Sequence, residues 1–366
     1  VTTAPPERPP LHIDATLLSA LGGRALDLAD VASVRLMLKG DSVIDWNRSF
    51  FRDLADVDRF LGLHLLDVHN HDDLRRLAYV HREAVVYLAE HLGITSPPDL
   101  EHPEDLRQVF LLASQTGGFR RRQILACVIL KLMHVINHME SAELRFQTPL
   151  SEANVLDLAD ARIRAASVRM REEGFPLVSF YGSRKTRHSV ITKLIAKKEN
   201  TAATVFDKLR FRIVTKEQHQ IFPALAWLAR NLFPFNYVIP GQSHNNLVSL
   251  RDMLTHAPYE DVVASLSEGE DAALSPEANP FSGGSYRMVN FIVDMPVRVD
   301  HLVDRAFNPM YGRTVFAMVE FQVLDEATAE ANESGENAHH LYKERQRAIV
   351  QKRLKKGGRW RRAGRT

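Results

Sequence analysis

The sequence predicts an α+β fold, a helical N-terminal region followed by a mixed β-sheet flanked by helices. Two observations carry that prediction. From about residue 13 to 174, apolar residues recur at helical spacing with few β-branched runs. From about residue 175, short β-branched and aromatic runs alternate with amphipathic segments. A third observation bounds the size: 366 residues with 45% hydrophobic and 25% charged content suit two soluble domains with a sizeable core.

The opening VTTAPPERPP is proline-rich, and residues 1–12 are expected to be disordered. Helices are expected at 72–93, 120–146 and 157–174, with Gly93, Pro97–Pro98 and Gly174 as punctuation. PLVSFYG (176–182) reads as a strand and SRKTRHSVITKLIAKKEN (183–200) as a polar-to-amphipathic helix. LRFRIVT (209–215) follows as a strand and KEQHQIFPALAWLARNLF (216–233) as a helix. Residues 240–283 form a long connection, of a length that carries function or is disordered. Strands are expected at 285–295 and 314–324, with a helix from about 326. The expected domains are 13–174 (helical, regulatory), 175–350 (α/β) and a basic tail, 351–366. There is no internal repeat and no GxxxxGK[ST] or GxGxxG phosphate loop.

Composition narrows the function classes. The single cysteine, Cys127, excludes an internal disulfide and a cysteine-built zinc site and points to a reducing compartment. The apolar run ILACVIL (124–130) is interrupted by Lys131 and is too short to span a bilayer. No leader pattern opens the chain, so a soluble, cytoplasmic protein is expected. The net charge of +2 hides an uneven distribution. Residues 343–366 carry eleven Lys/Arg against one acid, a local +10, which leaves −8 for the rest. That tail can meet phosphates, including those of RNA, or remain a solvated terminus.

Four stretches could carry chemistry. GSRKTRHSVITKL (182–194) clusters Arg184, Lys185, Arg187 and His188 around the start of a helix, where cations beside unpaired amides suit an anion. FDKLRFRIVT (206–215) sets Lys208, Arg210 and Arg212 in step between apolar residues, directly after Asp207. In TVFAMVEFQVL (314–324), Glu320 and Gln322 share a strand face with Phe316, Met318 and Leu324. A carboxylate so placed needs a cation or a metal to offset desolvation. Asp207 and Glu320 could share one Mg²⁺, or each could pair with nearby Arg and Lys; spacing alone leaves both open. In GENAHHLYKERQ (335–346), His339 and Lys343 fall on one helix face.

Together, the order and spacing of these stretches resemble the synthetase domain of the RelA/SpoT family, which makes (p)ppGpp, over about 175–350. The family's G-R-P-K-x-x-x-S-I-x-x-K is matched by Gly182, Lys185, Ser189, Val190 and Lys193, with the arginine displaced to Arg184. Its D-L-I-x-x-R-x-I strand is matched by Asp207, Leu209 (displaced by one), Arg212 and Val214. Its N-G-Y-x-S-I-H resembles Gly284-Ser285-Tyr286 and the four residues after it. Its E-x-Q-I-R-T and A-H-x-x-Y-K are matched by Glu320, Gln322 and Val323, then Ala338, His339, Tyr342 and Lys343.

The resemblance implies a nucleotidyltransferase-type fold that moves the β,γ-pyrophosphate of ATP onto a nucleotide 3′-hydroxyl. It implies Mg²⁺ on Asp207 and Glu320, with Glu320 near the hydroxyl proton. Lys185, Lys193 and Arg212 would contact ATP phosphates, with Ser189 in the same segment and Arg184 as a helper. Tyr286 would stack on the acceptor base, and Gln322, His339 and Lys343 would lie on the acceptor side. Four departures fall there: Leu324 replaces the family arginine, while Arg287-Met288 and Asn290 replace Gln-Ser and His. Another nucleotide or an RNA 3′ end thereby becomes a credible acceptor beside GDP and GTP. A catalytically silent nucleotide- or RNA-binding protein is the alternative. HNHDD (69–73) and HVINHME (134–140) raise a metal-hydrolase reading of the helical half. Its other expected elements are not recognisable, which favours a regulatory or partner-binding role.

Overall fold

The computed structural model describes residues 20–21, 26–40, 44, 46, 48–115, 120–196, 208–253, 286–302, 312–334 and 339–355, the last with side chains from 343. The proline-rich opening, most of the 240–283 connection, Asp207 and residues 356–366 of the tail lie outside the described residues. The main helices are α1 (Leu28–Lys39), α2 (Leu54–Leu63), α3 (His71–Leu92), α4 (Arg107–Ser114), α5 (Arg120–Gln147) and α6 (Glu152–Glu172). Then come β1 (Leu177–Arg184), α7 (Arg187–Ala196), β2 (Leu209–Thr215), α8 (Ile221–Asn231) and the two-residue β3 (His244–Asn245). The chain continues with β4 (Val289–Arg298), β5 (Thr314–Asp325), α9 (Glu326–Glu333) and α10 (His339–Leu354).

Local chemistry sets most of these limits. Asp27 caps α1 through the amides of Ala29 and Asp30, Asp30 returns the bond to Asp27, and Gly40 closes the helix at φ +65°. Asn70 caps α3 and Ser151 caps α6. Pro223 sits in the first turn of α8, where its missing N–H costs the helix nothing.

Three expected boundaries move for identifiable reasons. Strand β1 runs on to Arg184 because Ser183 and Arg184 pair with Arg210 and Leu209, so the following helix starts only at Arg187. Residues before Ile221 form a short 3₁₀ turn, with Glu217 and Gln220 bonded to each other, so α8 starts later than 216. Strand β4 starts at Val289 rather than 285, since side-chain amides hold residues 286–288 in place of a neighbouring strand.

The five strands form one mixed sheet in the order β1-β2-β5-β4-β3. Only the β2–β5 contact is parallel; the others are antiparallel. One face is apolar. Phe211, Phe321 and Phe291 lie opposite one another on β2, β5 and β4, with ring centroids 6.1 and 5.6 Å apart, and Phe233 leans on Phe321 at 5.3 Å. Gly182 faces Phe211 across β1, and a Cβ there would lie 2.6 Å from the ring. Gly182→Ala must therefore displace a fully buried ring. We expect a loss of about 1–3 kcal/mol, read as a lower urea midpoint with unchanged slope.

Packing does not follow the line at residue 174. Helices α1 and α6 contribute Val34, Met37, Ala159, Ile163 and Met170 to the sheet core, together with α8. Helices α2 to α5 enclose a second core around Leu61, Leu88, Phe110 and Ile129. Helix α5 is long and apolar enough by composition to cross a membrane, yet Ala126, Cys127, Ile129, Leu130 and Met133 are packed in that second core. Its Cys127 is buried and reduced, with burial pushing the thiol up to about 11. Arg162 of α6 joins the two cores, donating to the carbonyls of Leu63 (3.2 Å), Leu232 (2.8 Å) and Pro296 (2.5 Å).

Beside that seam lies a largely apolar cavity of about 70 Å³, lined by rings such as Phe60, Phe110 and Tyr237 and by His64 and His134. His64 donates from Nδ1 to Phe60 O (2.9 Å), the Asn236 amide nitrogen lies 3.0 Å from His134 Nδ1 and 3.5 Å from His64 Nε2, and burial favours the neutral form of both rings. Burial brings His64 down to about 4 and His134 to about 3. The unfolded chain therefore binds these protons first, and stability falls as pH drops below about 6.5, levelling off only near the folded values. The expected loss at pH 5 is about 1–2 kcal/mol per histidine. Urea midpoints at pH 7.5 and 5 check this, and the His64→Gln/His134→Gln pair should flatten the difference.

Candidate functional site

The sheet's second face carries a polar row that its register creates. Tyr181 of β1 lies opposite Arg212 of β2, Arg212 opposite Gln322 of β5, Gln322 opposite Asn290 of β4, and Asn290 opposite His244 of β3. Two residues along, Ser183, Arg210, Glu320 and Ile292 form a parallel row. Because strand side chains alternate, all these residues share the face opposite the phenylalanine stack. Glu320, Gln322 and Asn290 are buried, while Arg210 and Arg212 are half-buried. Burial holds the His244 imidazole below its usual range.

Arg212 is the hub. Its Nη2 reaches the Tyr286 hydroxyl at 3.2 Å and Gln322 Oε1 at 3.3 Å, and its Nη1 lies 3.7 Å from the exposed Glu333 carboxylate. Tyr286 is held by two asparagines that the sequence reading missed. Asn246 donates to Tyr286 O (2.7 Å) and accepts from Met288 N (2.7 Å). Asn332 of α9 accepts from Arg287 N (3.0 Å) and donates to Arg287 O (2.6 Å). A pair of side-chain amides thus fixes the short segment that presents the tyrosine.

Glu320 is the buried carboxylate of the second row. Its Oε2 accepts from Arg210 Nε at 2.7 Å, and its Oε1 accepts from Gln322 Nε2 at 3.1 Å and from Asn290 Nδ2. Magnesium binds oxygens at about 2.0–2.1 Å in a near-octahedral shell. At Glu320 it would have to displace a guanidinium and compete with two amides. Among the described residues no group of three His, Cys, Asp or Glu is arranged to hold a metal ion. The residues around Glu320 do not fit Mg²⁺.

The structure brings together Arg212, Glu320, Gln322 and Tyr286 of the residues that the sequence singles out. It adds Arg210, which the family motifs do not cover, and turns Arg184 away. Arg184 pairs with Leu209 in register and so points to the opposite face, where its Nη2 meets Asp157 at 2.6 Å. Lys208 is bound to Glu152 of α6 at 2.7 Å. Lys185 follows β1, its amide bonded to Lys208 O (2.9 Å). Ser189 and Lys193 sit on α7, where the Ser189 hydroxyl meets Thr186 Oγ1 at 3.0 Å. Lys343 is exposed on α10, whose Arg353 donates to Ile195 O of α7. His339 belongs to the first turn of α10, and its side chain lies outside the described residues.

The histidine-rich helical motifs are bound up in structure. His138 Nε2 lies 3.1 Å from Asp294 and its ring stacks on Phe316 at 4.5 Å, while His134 receives Asn236. In HNHDD, Asn70 caps α3, Asp72 pairs with Arg75, and Asp73 pairs with Arg298 at 2.8 Å. These pairings engage most of the motifs' polar side chains, and among the described residues no group of three His, Cys, Asp or Glu is placed to hold the metal that a hydrolase reading needs.

No protein-family model and no curated protein sequence matches the chain. Several solved structures are similar. The small alarmone synthetase 1 from Bacillus subtilis is 13% identical, with 55% of this chain and 86% of that one covered and a TM-score of 0.30. The same enzyme bound to its product pppGpp is 12% identical, with 59% and 94% covered and a TM-score of 0.32. A GTP pyrophosphokinase family protein from Streptococcus pneumoniae is 11% identical, with 55% and 84% covered and a TM-score of 0.30. Likeness at these levels transfers no residue role.

Proposed function

We propose that the polar row binds a nucleotide and that the chain is a divergent pyrophosphokinase of the alarmone-synthetase type. The observation that carries this reading is the Arg212 hub, a guanidinium held between Tyr286 and Gln322 beside a second arginine. A guanidinium fork suits phosphate oxygens, and a fixed tyrosine offers a face on which a base can stack. In the proposed reaction the acceptor's 3′-oxygen bonds to the β-phosphorus of ATP. The bond from that phosphorus to the α,β-bridging oxygen breaks, AMP leaves, and the hydroxyl proton passes to Glu320. Lys185 and Lys193 would extend the cationic surface toward the phosphates, and the tail would contact an RNA acceptor where one is used. Small alarmone synthetases, one of them solved with pppGpp, are among the similar structures, which agrees with this choice of reaction. A cytoplasmic setting accords with a buried, reduced Cys127.

A second reading is a silent nucleotide-binding protein, favoured by the Arg210–Glu320 pair. Incubation with γ-labelled ATP, with and without Mg²⁺, and a panel of nucleotides and tRNA separates the two. Label on at least one acceptor, abolished by Glu320→Gln, supports transfer. ATP binding with no transfer to any acceptor supports the silent reading, and absence of ATP binding contradicts both.

A further inference from the structure

Arg210 is the residue of the site that the nucleotide reading leaves without a role. We propose that Arg210 is the built-in counter-ion of Glu320, holding the position of a divalent cation, so that nucleotide phosphates bind here without a metal on Glu320. The inference rests on the nucleotide reading for its ligand, but its metal half concerns the protein alone.

Three features converge on it. The first is backbone placement: Arg210 and Glu320 are register partners on adjacent parallel strands in the middle of the sheet. Neighbouring strands lie about 4.8 Å apart, so the pairing follows from the fold rather than from a long flexible reach. The second is saturation. Glu320 is only 6% exposed, and its two oxygens together accept from Arg210, Gln322 and Asn290. Both amide partners come from the neighbouring row, so a metal entering there would leave buried donors unpaired as well as expelling the arginine.

The third is charge. With one carboxylate and two guanidiniums, the two rows themselves carry a net +1, and the Glu333 carboxylate 3.7 Å from Arg212 lies outside them, exposed to water that screens it. That is an attractive field for phosphate. Adding a divalent cation would place it beside Arg212, which already reaches Gln322 in the same network, and would raise the cost of entry. A guanidinium also cannot deprotonate near neutral pH, so the counter-ion is permanent under working conditions.

Mn²⁺ binding to the nucleotide-free full chain, followed by electron paramagnetic resonance, tests the metal half. The wild type should show no site that Glu320→Gln removes. Arg210→Met should gain a Mn²⁺ site at least tenfold tighter than any in the wild type, and Arg210→Met/Glu320→Gln should lose it. Calorimetric titration with ATP tests the ligand half: wild-type affinity in EDTA should lie within threefold of that in Mg²⁺. A Glu320-dependent Mn²⁺ site in the wild type, or a tenfold or greater loss of ATP affinity in EDTA, would overturn the inference. If ATP binds in neither buffer, the nucleotide reading fails, and the Mn²⁺ titration still decides the role of Arg210. Should Arg210→Met fail to fold, the wild-type and Glu320→Gln titrations carry the same decision.

Discussion

Asp30→Ala should lower stability by about 3–5 kcal/mol, among the larger effects of any single substitution outside the aromatic stack. Asp30 is 3% exposed and has two jobs. It returns the capping bond to the Asp27 amide at 2.7 Å, and it binds Arg230 of α8 through Nε at 2.7 Å and through Nη2. Burial raises its carboxyl above the usual range, and Arg230 works against that. Removing the carboxylate takes the Asp30 charge away from a mostly buried guanidinium, whose Nη1 also donates to the Leu21 carbonyl at 3.4 Å. Asp30→Asn should cost nearly as much, since it keeps the cap but not the charge. Asp30→Leu/Arg230→Met should recover most of the loss, because the expense lies in keeping the buried guanidinium after its carboxylate is removed. Urea midpoints of the four proteins check the pattern.

Arg212→Ala should weaken ATP binding about 10- to 150-fold, the equivalent of about 1.5–3 kcal/mol for a charge-assisted contact. Its own stability cost should be about 1 kcal/mol, since Tyr286 and Glu333 keep access to water but the buried Gln322 Oε1 loses its contact with Arg212. Arg212→Lys should restore only part of the affinity: an ammonium can replace the Nη2 that reaches Tyr286 and Gln322, but it cannot offer phosphate a planar two-pronged contact. Titration calorimetry on the variants, with melting curves alongside, separates binding from folding.

Strands β2 and β5 were legible because each has one apolar face. Leu209, Phe211 and Ile213 alternate with Arg210 and Arg212, and β5 likewise alternates. Helix α3 was legible through its closing glycine and periodicity, and α5 through periodicity. The row across the sheet was not, because register is a non-local property. Arg210 and Glu320 are separated by 110 residues, and no local pattern says that they meet. The same limit hid the fate of Arg184. Once β1 continues to residue 184, strand alternation sends that side chain to the other face, and a motif match says nothing about parity. Asn246 lay in what read as a long connection, and its value depends on reaching Tyr286, 40 residues away. Helix α1 lacked an evident pattern, and its place under the sheet depends on the Asp30–Arg230 pair across 200 residues.

The central claim is that the row on β2 and β5 recognises nucleotide phosphates. Calorimetric titration of the wild-type chain with ATP and with AMP, at low salt, tests it most directly. Saturable one-to-one binding at least tenfold tighter for ATP than for AMP is the predicted result. Equal affinity for the two, or no binding of either, would contradict it.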